Sequence, residues 1–287
     1  MTKIQNFKMF INGQWVDSES GKKIETLNPE NNEVWATVPE ANTKDVDKAV
    51  EAAQNAFESS WANLHPRDRA KHLRSLANQL RENAEHLGTI ETKDTGKIFR
   101  ETKTQANYIA EYYDYFAGLA DKVEGSVVPI DKPDMFVFTN REPLGVIAAV
   151  VPWNSQLFLS AVKIGPALAA GNTIVLKASE FASAAMLEFG SLIAEAGIPD
   201  GVVNIVTGHG DPYGRVLTSH PLVARISFTG GPNAARHVIG NSTHNFAEVS
   251  LELGGKSPNI ILNDADLEAA VTRGVLHMYN NTGQSCN

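Results

Sequence analysis

The fold turns on residues 145–154, "GVIAAVVPWN". From Val146 to Val151 the run is wholly apolar and rich in β-branched residues, with no polar alternation. A strand that faces water on one side alternates; a strand buried on both faces reads as an unbroken apolar run, the signature of a parallel sheet covered by helices. Working outward, "FLSAVKIGPALAAG" (158–171) has helical spacing and "TIVLKAS" (173–179) is a second short apolar run. The alternation repeats through "AAMLEFGSLIAEAG" (184–197), "GVVNIVTG" (201–208), "YGRVLTSH" (213–220), "ARISFTG" (224–230) and "AARHVIGNS" (234–242). Strand–helix units of this length predict an α/β fold: a parallel, Rossmann-like sheet with helices on both faces.

The N-terminal part has a different pattern. "MFINGQWVD" (9–17) alternates around Asn12-Gly13 and predicts a hairpin. From Thr43, a candidate N-cap, the spacing becomes helical. Two longer helical stretches follow, over 65–95 and 99–123. The Pro-punctuated "SVVPIDKPDMFVFTNREP" (126–143) then predicts a protruding strand pair, separating this helical region from the sheet.

Composition narrows the function classes. The 287 residues carry a net charge of −8, without the basic footprint that nucleic-acid binding needs. A single cysteine excludes an internal disulfide framework and a multi-cysteine metal site, so no metal is expected. The start of the chain has no apolar stretch of signal-peptide type, and no segment approaches a membrane span, so a cytoplasmic location is expected.

Ligands of parallel sheets bind outside the carboxyl ends of the strands. Those ends carry Trp153 and Asn154, then Lys177, Ser179 and Glu180, then Thr229, Gly230 and Gly231 ahead of a helix. A glycine turn at a helix start suits phosphate, and the polar side chains suit ribose. "FTGG" alone also reads as an ordinary strand-to-helix turn. The G-x-G-x-x-G fingerprint is absent, and the glycines of "GHGDPYG" (208–214), Gly210 among them, have a different spacing.

In "VSLELGGKSPNIIL" (249–262), Glu252 sits in an apolar run ending in two glycines. A buried carboxylate there has a raised pKa, which suits a general base; a strand-edge glutamate facing water is the other reading. Cys286 follows an amphipathic helix, "DLEAAVTRGVLHMYNN" (266–281), among the small and polar residues Gly283, Gln284, Ser285 and Asn287. Such neighbours argue against an inert core thiol.

Taken together, "PWN" (152–154), "KIGPALAAGNTIVLKASE" (163–180), "GIPDGVVNIVTG" (197–208), "ISFTGG" (226–231), "LELGGKSPNIIL" (251–262) and "NTGQSC" (281–286) resemble the aldehyde dehydrogenase superfamily. They occur in the family's order, and the resemblance runs from about Phe7 to the end. It implies an NAD(P)-dependent oxidation of an aldehyde to a carboxylic acid. Cys286 matches the nucleophile that forms a thiohemiacetal; hydride passes to the nicotinamide, and water hydrolyses the remaining thioester. Glu252 matches the general base. Asn154, with the backbone N–H of Cys286, matches the oxyanion hole. Trp153, Lys177, Ser179, Glu180, Gly210, Thr229, Gly230, Gly231 and Leu253 match cofactor-binding positions, and Ser155 a substrate-lining one. The cofactor implied is NAD, with NADP as the other possibility.

The resemblance also implies domains: residues 1–124 and 144–253 for the cofactor, 125–143 as an oligomerisation hairpin, and 254–287 as the start of a catalytic domain. Family members continue well beyond this point, so most of the catalytic domain is expected to be absent and a homo-oligomer belongs to a full-length form. "FTGG" replaces the common "FTGS", Ala235 stands where glycine is frequent, and Ser155 and Gln156 replace an aromatic and a proline. The Asn287 carboxylate beside Cys286 is expected to disfavour thiolate, leaving the 287 residues inactive alone. Two other readings stay open: a non-catalytic nucleotide-binding fragment, and a cofactor-free thiol esterase using Cys286 and Glu252.

Overall fold

The computed structural model describes residues 4–286. The N-terminal part contains strands β1 (Gln5–Asn6), β2 (Met9–Ile11), β3 (Gln14–Val16), β4 (Lys23–Asn28) and β5 (Glu33–Pro39). Helices α1 (Thr43–Ala56), α2 (Pro66–Glu82), α3 (Ala84–Thr95) and α4 (Phe99–Leu119) follow, then the short strands β6 (Val127–Val128) and β7 (Val137–Phe138). The alternating part runs β8 (Val146–Val150), α5 (Gln156–Ala169), β9 (Thr173–Lys177), α6 (Ala184–Glu195), β10 (Val203–Val206), α7 (Arg215–Thr218), β11 (Val223–Gly230), α8 (Pro232–Ser242) and β12 (Glu248–Leu253). Helix α9 (Leu267–Tyr279) follows, and a short 3₁₀ turn over Asn280–Gly283 leads on to Cys286.

The main sheet has the order β12-β11-β8-β9-β10-β2-β3. Strands β8 to β12 run parallel to one another, as the apolar runs predict. β2, however, pairs antiparallel with β10, and β3 antiparallel with β2, so the sheet is mixed. The hairpin is as the Asn-Gly pair indicates: Asn12 and Gly13 both take positive φ, 51° and 71°, which a type I′ turn requires. Its tip is tied down by the Asn12 N–H, which donates to Asn204 Oδ1 at 2.9 Å.

Alternate residues of the central strands feed two different cores. Ile147, Ala149, Ile174 and Leu176 face the cluster built with α2, α3, α5 and α6. Val146, Ala148 and Val175 face the cluster built with α1, α7 and α8. This two-sided burial is what the unbroken run at 146–151 encodes, and each fully buried large aliphatic contributes about 1.5–3 kcal/mol.

Several boundaries differ from the sequence reading. The cap of α1 is Asn42, not Thr43: Asn42 Oδ1 accepts from the Asp45 N–H at 3.0 Å, and Asp45 Oδ2 accepts from the Asn42 N–H at 2.8 Å. The reciprocal pair satisfies two otherwise orphaned donors. The helical stretch 65–95 is broken at Asn83, and the next one ends at Leu119 rather than 123. The helix expected over 213–220 is reduced to the four-residue α7, preceded by a π-helical turn over Gly210–Gly214. The strand pair over 126–143 shrinks to β6 and β7. A second sheet, β1-β5-β4, was not foreseen. Among the described residues no helix is long and apolar enough to cross a membrane.

Candidate functional site

The carboxyl ends of β8, β9 and β11 open into a cleft of about 590 Å³. Trp153, Lys177, Ser179, Glu180, Gly210, Thr229, Gly230 and Gly231 all line it, so eight of the nine expected cofactor positions converge. Leu253, the last residue of β12, is not part of that lining. The helix α8 starts at Pro232 with Gly231 at its N-cap position, and no side chain caps it. Its free N–H groups and positive dipole end therefore face the cleft without a competing protein acceptor, the arrangement that receives a phosphate. A Cβ added at Gly231 would meet no atom within 4 Å, so its side has room for a ligand.

Lys177 is buried and donates to Glu180 Oε2 at 3.3 Å and to the Ala178 carbonyl at 3.1 Å. Burial pushes its ammonium below the usual lysine range, and the Glu180 charge partly opposes this. The pair forms a charged rim at the end of β9. Ser179 is buried too, and its Oγ accepts from the Phe181 N–H at 3.3 Å.

A second cleft, of about 560 Å³, lies beyond Trp153 and is lined by Asn154, Ser155 and Cys286 with Lys97, Arg100, Glu101, Gln105, Tyr108 and Phe158. Asn154 Nδ2 donates to the carbonyl of Gln284 at 2.7 Å. This brings the candidate oxyanion donor against the segment carrying the thiol. Cys286 is exposed, and among the described residues no group of three or more His, Cys, Asp or Glu side chains could hold a metal ion. The Asn287 carboxylate, expected beside it, lies outside the described residues.

The segment after β12 reaches the same place. A Cβ built on Gly255 would stand 2.9 Å from the Cys286 carbonyl oxygen, a contact that real side chains essentially never make. Glycine at 255 thus lets "LELGG" pass against "GQSC". Glu252 itself is exposed at the end of β12, which among the described residues pairs only with β11. The apolar neighbours read from the sequence do not bury it; of the two sequence readings, the strand-edge glutamate facing water is the one seen.

One group near Glu252 escaped the sequence reading. Lys163, on α5, is buried and donates to Ser227 Oγ at 3.0 Å and Thr229 Oγ1 at 2.9 Å. Burial pushes its ammonium down to about 8, while the Glu252 charge pulls the other way. Lys97, Glu101 and Asn281 were missed as well. Isolated polar residues of this kind leave no periodic signal; Lys97, Glu101 and Asn281 meet only where the segment after α9 packs against α4 and the residues flanking it.

Comparison with known proteins gives the geometry a lineage. Residues 15–287 match the aldehyde dehydrogenase family. The chain is 55% identical over 284 residues to the (Z)-2-((N-methylformamido)methylene)-5-hydroxybutyrolactone dehydrogenase of Acinetobacter baylyi, covering 99% of this chain and 58% of that protein. It is 41% identical to aldehyde dehydrogenase family 2 member C4 of Arabidopsis thaliana, covering 100% of this chain and 58% of that one. The NAD+ complex of an aldehyde dehydrogenase from Bacillus cereus superposes with a TM-score of 0.95 at 40% identity, covering 98% of this chain and 58% of that chain. The chain thus spans a little under three fifths of the length of these relatives. By the match over nearly its whole length, this chain belongs to the aldehyde dehydrogenase family.

Proposed function

We propose that the chain supplies the cofactor cleft, nucleophile and oxyanion donor for NAD(P)-dependent oxidation of an aldehyde to a carboxylic acid. The observation that carries this reading is the 2.7 Å bond from Asn154 to the Gln284 carbonyl, which holds the donor and the Cys286 segment at one cleft mouth, next to the cofactor cleft. In this reading the Cys286 sulfur attacks the carbonyl carbon, and the Asn154 amide and the Cys286 N–H bind the oxygen as charge develops on it. Glu252 takes the proton of the thiol, gives it up to solvent, from which it is not shielded, and is then free to take a proton from the water that releases the acid.

The first cleft fits a dinucleotide. The uncapped start of α8 with Thr229, Gly230 and Gly231 receives the phosphates, Glu180 and Lys177 hold the ribose end, and Trp153 forms a wall. A bound nicotinamide supplies the hydride acceptor. The Bacillus cereus neighbour is described as an NAD+ complex, and another neighbour, 35% identical, as an E. coli NADP dependent enzyme. Glu180 favours NAD here, because a 2′-phosphate beside its carboxylate meets like charge.

Ser155 lines the aldehyde side, where an aromatic wall (Tyr108 and Phe158, ring centroids 5.9 Å apart) faces polar side chains. Oxygenated or bulky aldehydes suit that mixture. From residue 256 to 286 most apolar side chains are exposed, among them Ile260, Leu262 and Leu276. A further stretch of structure of the kind its relatives possess completes the pocket in this reading, and the 287 residues alone are expected not to turn over. The exposed Val127, Phe136 and Phe138 make 125–143 the natural place for subunit pairing. The domain limits proposed are 1–124 with 144–253, 125–143, and 254–287.

The test is aldehyde-dependent NADH formation by these 287 residues and by the same sequence joined to a family-type C-terminal part, each with and without Cys286→Ala. Cys286-dependent activity in the longer protein is expected. Activity that survives Cys286→Ala sinks the proposal.

A further inference from the structure

The turn that delivers Cys286 is strained. Asn281 and Thr282 take φ of 57° and 55°, in the left-handed region. Asparagine visits that region readily, but a β-branched threonine rarely does, so the surroundings must hold the turn. Asn281 is where the holding bonds meet. Its N–H donates to Glu101 Oε2 at 3.0 Å, and its carbonyl accepts from the Gln284 N–H at 3.1 Å. Its side-chain amide donates to the Gln284 carbonyl at 2.9 Å and to the Asn154 carbonyl at 3.3 Å, and its Oδ1 accepts from Ser155 Oγ at 3.3 Å.

The other end of the chain of bonds is rigid. Ser155 Oγ accepts from Lys97 Nζ at 3.3 Å. Lys97 is 1% exposed, and its remaining bonds go to Glu91 Oε1 at 3.0 Å and Gln105 Oε1 at 2.9 Å. All three ammonium donors are therefore used within the protein, and none is left for a ligand. Gln284 adds a tie to the end of α3, its Nε2 donating to the Thr95 carbonyl at 3.4 Å.

We propose that Asn281 is a positioning residue for the nucleophile, fixing the Gln284 carbonyl and the Asn154 amide in one arrangement and transmitting the rigidity of the buried Lys97–Glu91 pair through Ser155. This deepens the reading of Cys286 as the nucleophile and rests on it. The Gln284 carbonyl receives both amides, from Asn154 at 2.7 Å and from Asn281 at 2.9 Å, so it acts as the pivot. Loss of the Asn281 side chain leaves Asn154 with a carbonyl that can move. A displacement of about 1 Å at a reacting group costs about 10²-fold in rate.

Three variants separate the side-chain network from backbone conformation. Asn281→Gly keeps easy access to positive φ but removes every side-chain bond. Ser155→Ala cuts the link to Lys97, and Ser155→Thr retains a hydroxyl. Hydrogen exchange of residues 280–285 is measured on the 287-residue chain, with thermal melting to confirm folding. Exchange in Asn281→Gly and Ser155→Ala is expected to quicken roughly tenfold, with Ser155→Thr close to the original. In the longer, turnover-competent protein, Asn281→Gly is expected to lower kcat about 10²-fold while the Kd for NAD stays unchanged. Exchange in Asn281→Gly matching the original chain overturns the proposal, since backbone conformation alone then holds the turn. If instead no protein shows Cys286-dependent turnover, the functional reading fails, and the exchange result still decides whether Asn281 organises the turn.

Discussion

Asn154 Nδ2 lies 2.7 Å from the carbonyl oxygen of Gln284, across 130 positions of sequence. One partner follows the end of a central strand, β8; the other is the second residue before Cys286. The bond registers the sheet against the thiol-bearing segment. In the proposed reaction it also orients an amide whose second N–H points the charge-stabilising dipole at the substrate. Asn154→Ala in the longer protein is expected to lower kcat by about 10²–10³-fold. Glu252→Gln is expected to lower it by about 10²–10⁴-fold by removing a base. Steady-state kinetics with saturating NAD checks both.

In the proposed reading, Glu180 sets the choice of cofactor. Its carboxylate is held by Lys177 at 3.3 Å, with His209 Nδ1 at 4.0 Å on the other side. NAD is expected to bind more tightly than NADP, and Glu180→Gln to narrow the difference by removing like charge near a 2′-phosphate. Titration calorimetry on the 287-residue chain with both cofactors tests this; equal or tighter NADP binding by the unmodified chain speaks against it.

Gly255 is a steric prediction. A methyl group there would need the Cys286 carbonyl to retreat, because the built Cβ stands 2.9 Å from it. Gly255→Ala is expected to lower Cys286-dependent turnover by at least about tenfold, with NAD affinity unchanged, since Gly255 does not line the cofactor cleft. Paired calorimetry and kinetics report on the two effects separately.

Asp94 yields a pH prediction. It is buried and accepts from Gln156 Nε2 at 3.2 Å, the Ala184 N–H at 2.8 Å and Thr26 Oγ1 at 3.3 Å, joining α3 to β4, α5 and α6. Burial raises its carboxyl from 3.8 to about 6, with the three hydrogen bonds partly opposing and the Glu91 charge adding a little. Between those values the unfolded chain has lost this proton and the folded one keeps it. Stability from Asp94 is therefore full below about pH 4, falls as pH rises to about 6, and is level above. The total change is roughly 3 kcal/mol. Urea unfolding of the original and of Asp94→Asn at pH 4 and pH 7 isolates it: the variant is expected to gain relative to the original at pH 7. Parallel curves contradict this.

The legible parts of the molecule are those written as patterns. The unbroken run at 146–151 encodes two-sided burial, Asn12-Gly13 encodes its hairpin, and the polar strand ends meet in one cleft, the one proposed for the cofactor. What failed was set by partners far away in sequence. Nothing within "MFI" says that β2 will pair antiparallel with β10, and the alternating, mostly polar "KIETLN" of β4 gains its role only from β5. Glu252 looked buried because its neighbours are apolar, yet burial depends on what packs over β12, and β12 is an edge strand. Lys97 and Asn281 were invisible for a similar reason: each is one polar residue, and their connection through Ser155 exists only after α3, α4 and α5 have packed.

Attack of Cys286 on an aldehyde held by Asn154 and served by Glu252 leaves a covalent mark that mass spectrometry reads, on the longer protein quenched during turnover with aldehyde and NAD. An acyl adduct is expected, confined to the peptide containing Cys286, absent without NAD, absent in Cys286→Ala, and accumulating in Glu252→Gln because deacylation is slowed. Turnover with no adduct on Cys286, in the original protein and in Glu252→Gln alike, would contradict it.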